Sequence, residues 1–288
     1  MPEPFVRIGD FRCFPLTDGA LHYPTSALFP GRSEPELAEV LGPGEVQPEL
    51  SLGYSGLLID TGTQRILIDT GAGPLSADTG RLPESLNACG FRPEQIDVIV
   101  LSHPHADHIG GLITSEGGFR FPGAEVLVSR SENDFWMSES NQAKLKLGRL
   151  FGLGEIEQVM LSWVQRYISP LATARRLRII ESDCEPATGI LVLPAVGHTP
   201  GHLAVLVSSG RQQLLFAGDA IFHPAHIKHP EWSTVFDVLP EQAVLTRRQI
   251  LDRGASDRCL MFHFHFPFPC LGSVSRWNGG YRWEPIEL

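Results

Sequence analysis

The chain has 288 residues, 42% of them hydrophobic, enough to bury a full core. Its net charge of -10, from 33 acidic against 23 basic residues, disfavours nucleic acid as a partner, because a phosphate backbone needs Lys and Arg to replace its counterions. No run of about 18 apolar residues marks a membrane span, and Met1–Arg7 lacks the basic lead and apolar core of an export signal, so a cytoplasmic enzyme with a small-molecule substrate is expected.

Phe5–Phe14 reads as an opening strand, with a turn at Leu16–Gly19. Prolines, glycines and acids dominate Pro24–Pro48, read as a long surface loop with one helical turn at Glu36–Leu41. It is a candidate arm over the site or against a partner subunit, which keeps a homodimer open. Leu57–Ile59 and Ile66–Ile68 form a hairpin closed by Asp69-Thr70-Gly71. Leu203–Val207 and Leu214–Phe216 repeat the pattern, closed by Ala217-Gly218-Asp219, which predicts an internally duplicated architecture. Leu82–Cys89 reads as a helix stopped by Gly90, and Ala124–Ser129 as a strand. Between residues 131 and 169 the chain reads as a helical insertion. There Ile156, Val159, Met160, Trp163, Val164, Tyr167 and Ile168 recur at helix spacing, a stripe expected to pack in the core. Leu177–Ile180, Ile190–Leu193 and Cys259–Phe264 read as strands, and Pro240–Arg253 as a helix ended by Gly254. No segment resembles a flexible linker, so residues 1–288 are read as one domain of alternating strands and helices. The five cysteines, Cys13, Cys89, Cys184, Cys259 and Cys270, are scattered and form no Cys-x-x-Cys pair, as expected of reduced, mostly buried thiols.

The chemistry concentrates in His103-Pro104-His105-Ala106-Asp107-His108. Three imidazoles and a carboxylate in six residues are what a divalent cation takes from protein. His103 and His105 leave an apolar run two apart and point to the same side, while Asp107 falls at a helix start, the favourable end of the dipole. Three further candidates, His198, Asp219 and His265, also stand at strand ends beside Gly or Pro. Seven donors exceed the need of one tetrahedral ion. The economical reading is two ions, one held by His103, His105 and His198, the other by Asp107, His108 and His265, with Asp219 between them.

These residues resemble the metallo-β-lactamase superfamily, whose His-x-His-x-Asp-His signature is met at 103–108 and whose remaining ligands map in order onto His198, Asp219 and His265. The resemblance implies an α+β four-layer αβ/βα sandwich, two mixed sheets face to face with helices outside, and metals at one edge. It also implies that Asp69 supports the ligands rather than binding metal. Residues Ala225–Asp237, Thr246–Leu251, His265–Pro269 and Gly280–Trp283 look like the methyl parathion hydrolase-like branch, with N-acyl homoserine lactonases similar more distantly. Those lactonases carry a tyrosine three residues after the bridging aspartate, where this chain has Phe222; the methyl parathion hydrolase branch lacks it too.

The expected reaction is cleavage of an ester-like bond, in a lactone, carboxylic ester or organophosphate triester, by a hydroxide that two cations share and activate, with Asp107 and Asp219 as catalytic carboxylates. Zinc is the first expectation, and iron, manganese and cobalt suit the same donors. His202 and His263 are expected to support the ligands. His223, His226 and His229 read as structural or rim residues. An apolar substrate pocket is expected from Trp136, Phe119, Phe222, His223 and Phe268, with Phe135 and Trp163 as further aromatic candidates. Two other activities share the fold. A glyoxalase II-like thioesterase has the same pattern as Gly197–His202, and an iron-dependent redox enzyme of the persulfide dioxygenase type is the other.

Overall fold

The protein is described here from a computed structural model. The structure describes residues 5–42, 44–147, 150 and 155–288, with the side chains of residues 155 and 156 left out, so the expectation for Ile156 lies outside the described residues. Seven strands form the first sheet: β1 (Val6–Ile8), β2 (Phe11–Pro24), β3 (Glu49–Asp60), β4 (Arg65–Ile68), β5 (Val98–Val100), β6 (Glu125–Ser129) and β7 (Leu177–Ile180), in that spatial order. Its first half is antiparallel and β4 to β7 run parallel. The second sheet is built from β8 (Ile190–Pro194), β9 (Leu203–Ser209), β10 (Gln212–Phe216), β11 (Leu260–Phe262), β12 (Leu271–Trp277) and β13 (Gly280–Pro285), also in chain order. In each sheet a hairpin, β3–β4 or β9–β10, passes on to a parallel neighbour, β5 or β11, so the repeated pattern in the sequence corresponds to a repeated arrangement.

Side-chain alternation explains the layers. Leu57, Ile59, Ile66, Ile68, Val98 and Val100 face a core shared with Val205, Val207, Leu215, Phe216 and Phe262 of the second sheet. The intervening Leu58, Leu67 and Ile99 face a second core against the outer helices. Both faces of these strands are buried, so they read as continuous apolar runs rather than as alternation. Ten helices complete the described fold: α1 (Thr25–Leu28), α2 (Glu34–Leu41), α3 (Leu82–Ala88), α4 (Ala106–Ile109), α5 (Arg130–Met137), α6 (Glu139–Lys146), α7 (Glu155–Tyr167), α8 (Ser169–Thr173), α9 (Ala225–Lys228) and α10 (Pro240–Asp257). Helix α3 packs on β2 and α10 on β12, which gives the αβ/βα order of layers. Among the described residues no helix is long and apolar enough to cross a membrane.

Five expectations are corrected. The opening strand expected over Phe5–Phe14 is two, β1 and β2, paired antiparallel with Ile8 opposite Phe11, and β2 does not end at Leu16–Gly19 but continues to Pro24 through a bulge between Thr17 and Gly19. The extra residue there, Asp18, turns inward and its carboxylate accepts the N–H groups of Gly73, Gly80 and Leu82. The 24–48 segment holds two helices, the second opened by a Ser33–Glu36 capping box. Helix α10 runs through Gly254, where a Cβ would lie 2.4 Å from Met261 Sδ: the glycine serves close packing on β11, not a helix stop. Val159 is 44% exposed and leaves the α7 stripe, whereas Met160, Val164, Tyr167 and Ile168 are buried in the outer core.

Candidate metal centre

Every strand that leads into the site ends on the same edge of the sandwich. His103, His105, Asp107 and His108 follow β5, His198 follows β8, Asp219 follows β10 and His265 follows β11. His105 is the N-cap of α4, a single turn that sets Asp107 and His108 on its first coil. The two glycines after this turn are required by approach rather than by bending. A Cβ on Gly110 or Gly111 would lie 2.0 Å from the Ala72 carbonyl or 2.1 Å from that of Thr70. Thr70 in turn donates its backbone N–H and its hydroxyl to the His108 carbonyl, both at 2.8 Å.

The side chains gather in two groups. His105 Nδ1 lies 2.9 Å from His103 Nε2 and 3.1 Å from His198 Nε2. Asp107, His108, Asp219 and His265 form the second group, with each ligand-type atom within 4.8 Å of the others. Asp219 Oδ2 joins the two groups: it is 3.3 Å from the Nε2 atoms of His108, His198 and His265 and 3.7 Å from that of His103. Asp107 Oδ2 lies 3.6 Å from His108 Nε2 and 3.5 Å from His265 Nε2, and at 14% exposure it is the most exposed member of the set.

What fixes these rings is the atom each turns away from the centre. His108 Nδ1 is 2.7 Å from Asp69 Oδ2, His198 Nδ1 is 3.1 Å from Asp237 Oδ1, and His265 Nδ1 is 3.0 Å from the Gly53 carbonyl. His103 Nδ1 lies 3.0 Å from Ser102 Oγ, which donates to Asp69 at 2.7 Å. These acceptors take a hydrogen bond from Nδ1 and leave Nε2 as the nitrogen facing inward, the arrangement that a cation ligand requires once Nε2 is unprotonated. Asp69 thus reaches His108 directly and His103 through Ser102. Asp237 is held by the buried Arg247, which also binds the carbonyls of Ala220, Pro230 and Trp232 and so ties the His198 and Asp219 segments together. On the other side the buried Glu132 accepts from Thr199 Oγ1, from Gly201 N at 2.7 Å and from Trp136 Nε1 at 2.6 Å, clamping the 197–202 loop to α5.

The electrostatics fit positive charge at the centre. Burial, followed by the neighbouring rings, pushes His103 and His105 well below the usual imidazole range, so both are neutral. Burial would lower His108 too, but the carboxylates of Asp219, Asp107 and Asp69 outweigh it and hold it well above that range. Burial raises Asp219, yet His265, His108 and His198 together hold it well below the ordinary carboxylate value. Among the described residues no lysine or arginine lines the cleft. Asp219 Oδ1 is buried and has no hydrogen-bond partner among the described residues. A buried carboxylate oxygen left in this way, beside a ring of inward-facing imidazole nitrogens, matches the donor chemistry of divalent cations.

The supporting and pocket residues divide. His202 is pushed by burial down to about 3, and its neutral Nε2 accepts the Asp219 N–H at 3.1 Å. His263 does not reach the ligands; it stacks on Phe266 at 4.2 Å against the edge of Trp283, and neither ring nitrogen has a hydrogen-bond partner among the described residues. The cleft, about 110 Å³ in volume, is lined by Tyr23, Leu75, Met160, Trp163, Phe222 and Phe236 beside His105, Asp107, His198 and Asp219. Of the expected pocket residues it therefore contains Phe222, and also Trp163 from the wider aromatic set. Trp136 is buried beneath the site with its edge toward His105, 6.2 Å between ring centroids. Phe119 packs against the outer core under Arg176, and Phe268, 55% exposed, faces a separate surface groove. His223 turns its ring edge to Phe29 and accepts the Ala225 N–H. His226 is buried beside Phe29, and His229 stacks on Trp232, structural positions in both cases.

A two-sheet αβ/βα sandwich that gathers five histidines and two aspartates at the carboxyl ends of its strands defines a candidate metal-dependent class of protein. The chain belongs to the metallo-beta-lactamase superfamily, which residues 52–263 match. A probable metallo-hydrolase of Mycobacterium tuberculosis is 31% identical over 138 residues, covering 46% of this chain and 40% of that protein. An N-acyl homoserine lactonase of Bacillus cereus is 25% identical over 135 residues, covering 47% and 42%. The chain thus spans less than half the length of these two relatives. Among solved structures, the beta-lactamase superfamily hydrolase AbOPH superposes with a TM-score of 0.90 at 27% identity, over 99% of this chain and 97% of the other. AidC, a dizinc quorum-quenching lactonase in complex with the product N-hexanoyl-L-homoserine, gives a TM-score of 0.86 at 27% identity and the same coverage.

Proposed function

We propose that the protein is a two-metal hydrolase that cleaves an ester-like bond, in a lactone, carboxylic ester or phosphotriester, of an apolar small molecule. The observation that carries this reading is the position of Asp219 Oδ2 within 3.3 Å of imidazoles from both groups, which supports its being a carboxylate shared between two sites. His103, His105 and His198 would hold one ion, Asp107, His108 and His265 the other, with zinc the first candidate given the dizinc neighbour. Bound divalent cations would acidify water at neutral pH and offset the negative charge that develops on the attacked oxygen.

The chain's own residues do the rest. Asp107, open to the cleft, accepts the proton that water gives up and passes it to the departing oxygen. Phe222 and Phe236, stacked with ring centroids 5.8 Å apart, form with Met160 and Trp163 an apolar wall that holds the acyl or aryl part of a substrate and keeps bulk water out. The 131–169 insertion contributes two residues of that wall, so we assign it to substrate selection within one domain spanning residues 1–288. The test is turnover by protein of verified metal content against a panel of N-acyl homoserine lactones, aryl esters, paraoxon-type triesters and S-lactoylglutathione. Hydrolysis of an oxygen ester, lost with a chelator and restored with zinc, is the expected result. Turnover of the thioester alone, or none across the panel at full occupancy, would overturn it.

A further inference from the structure

Two phenols meet at the cleft. Tyr23, near the end of β2, lines it beside Asp107 and Asp219, and its hydroxyl is hydrogen-bonded to that of Tyr54 on β3. The strands pair with Tyr23 opposite Leu50 and Gly19 opposite Tyr54, so the contact is made by reach across the twisted pair, not by direct register. Tyr54 is wholly buried, its ring edge-on to that of His265 at 5.5 Å, whereas Tyr23 is only partly buried and packs edge-on against Phe222 and Phe236.

A proton count assigns the direction. Two hydroxyls carry two protons, and one hydrogen bond between them uses one. Were Tyr23 the donor, the Tyr54 proton would be buried with no acceptor, since among the described residues that hydroxyl has no other hydrogen-bond partner. A buried unpaired donor is costly, and the opposite orientation avoids it: Tyr54 donates to Tyr23, and the Tyr23 O–H is left to the cleft. Among the described residues no other hydroxyl and no amide side chain lines the cleft, which leaves the Trp163 indole N–H as the other neutral side-chain donor there.

The geometry points to Tyr23 as a hydrogen-bond donor from the cleft wall to the substrate's carbonyl or phosphoryl oxygen, with Tyr54 as the positioning residue that fixes where its proton points. This rests on the hydrolase reading for the identity of the acceptor, but not for the direction of the donor. The carbonyl or phosphoryl oxygen gains negative charge in the transition state, so a donor already oriented toward it favours that state over the ground state. No bond is made or broken at the phenol, which keeps its proton throughout.

The experiment compares Tyr23→Phe, Tyr54→Phe and the double variant, all of which retain the rings, in zinc-loaded protein checked for unchanged metal content and circular dichroism. Binding of diethyl phosphate is measured by calorimetry, in parallel with kcat and KM on whichever ester the wild type hydrolyses. Tyr23→Phe is expected to weaken diethyl phosphate binding by about 10- to 100-fold, the range for a hydrogen bond to a charged group, and to lower kcat more than it raises KM. Tyr54→Phe is expected to lose less, and the double variant no more than Tyr23→Phe, because Tyr54 acts through Tyr23. Unchanged binding in Tyr23→Phe, or a larger loss in Tyr54→Phe, would overturn the assignment. The binding pattern in a protein that hydrolyses no ester would leave the donor standing and remove the hydrolase reading. Ester turnover with binding and kcat unmoved by Tyr23→Phe would do the reverse.

Discussion

The clearest single perturbation is Asp237→Asn. Asp237 is the charged partner of Arg247, 3.3 Å away, and both groups are shut off from solvent. The same carboxylate accepts the Thr234 N–H at 3.2 Å and the His198 Nδ1–H at 3.1 Å, so one change touches a buried charge and a metal-facing ring. Desolvation already lowers the Arg247 pKa, and Asp237 is the first group that opposes this. Breaking a buried pair by removing one member leaves an uncompensated charge at a cost of about 3–5 kcal/mol, a large part of a stability of about 5–15 kcal/mol. Zinc affinity should fall with it by about 10- to 100-fold, the usual effect of altering the carboxylate behind a ligating histidine, because the amide oxygen that remains is an uncharged and weaker acceptor. Denaturant unfolding of the metal-free protein reads the first number, and competition with a chromogenic chelator reads the second. The double variant Asp237→Asn with Arg247→Met should recover part of the stability, because the stranded charge is gone, but not the zinc affinity. A loss below about 1 kcal/mol together with unchanged zinc binding would refute the reasoning.

Three other outcomes follow from the same structure. Asp18→Ala strands the buried N–H groups of Gly73, Gly80 and Leu82 and should lower stability by about 3 kcal/mol or more, with Asp18→Asn milder, as read by urea midpoints. Gly254→Ala should destabilise, despite a gain of about 1 kcal/mol in helix propensity, because the new methyl collides with the buried Met261 sulfur; a raised melting temperature would contradict the close approach. Burial pushes the Cys13 and Cys270 thiols up to about 12, so at pH 8 only about one in 10,000 is thiolate, and mass spectrometry after iodoacetamide treatment should find both unmodified until the protein unfolds.

Much of this was legible in the sequence because the relevant signals are local. The strands of the double-sided core announce themselves as apolar runs, and each ligand segment stands at a strand end beside Gly or Pro. Asp18 and Gly254 misled for the opposite reason: a bulge and a close helix–strand contact use the same residue types as a turn and a helix stop. The Asn278-Gly279 turn between β12 and β13 did carry a local hairpin signal, and could have been found from it. Asp237, Arg247, Glu132 and Tyr23 offered none. Each acts through a partner far away in the chain, as Asp237 does on His198 across 39 residues, and nothing in its neighbours marks it. The aromatic wall failed similarly, since sequence composition does not tell Phe222, at the cleft, from Phe268, on a separate surface groove.

The central claim is that two ions share Asp219. Crystals of zinc-loaded protein, with diffraction recorded on both sides of the zinc absorption edge, test it most directly. Two anomalous peaks are predicted, one among His103, His105 and His198 and one among Asp107, His108 and His265, with Asp219 touching both. A single peak at full zinc saturation, or two peaks with Asp219 bound to only one, would contradict the account.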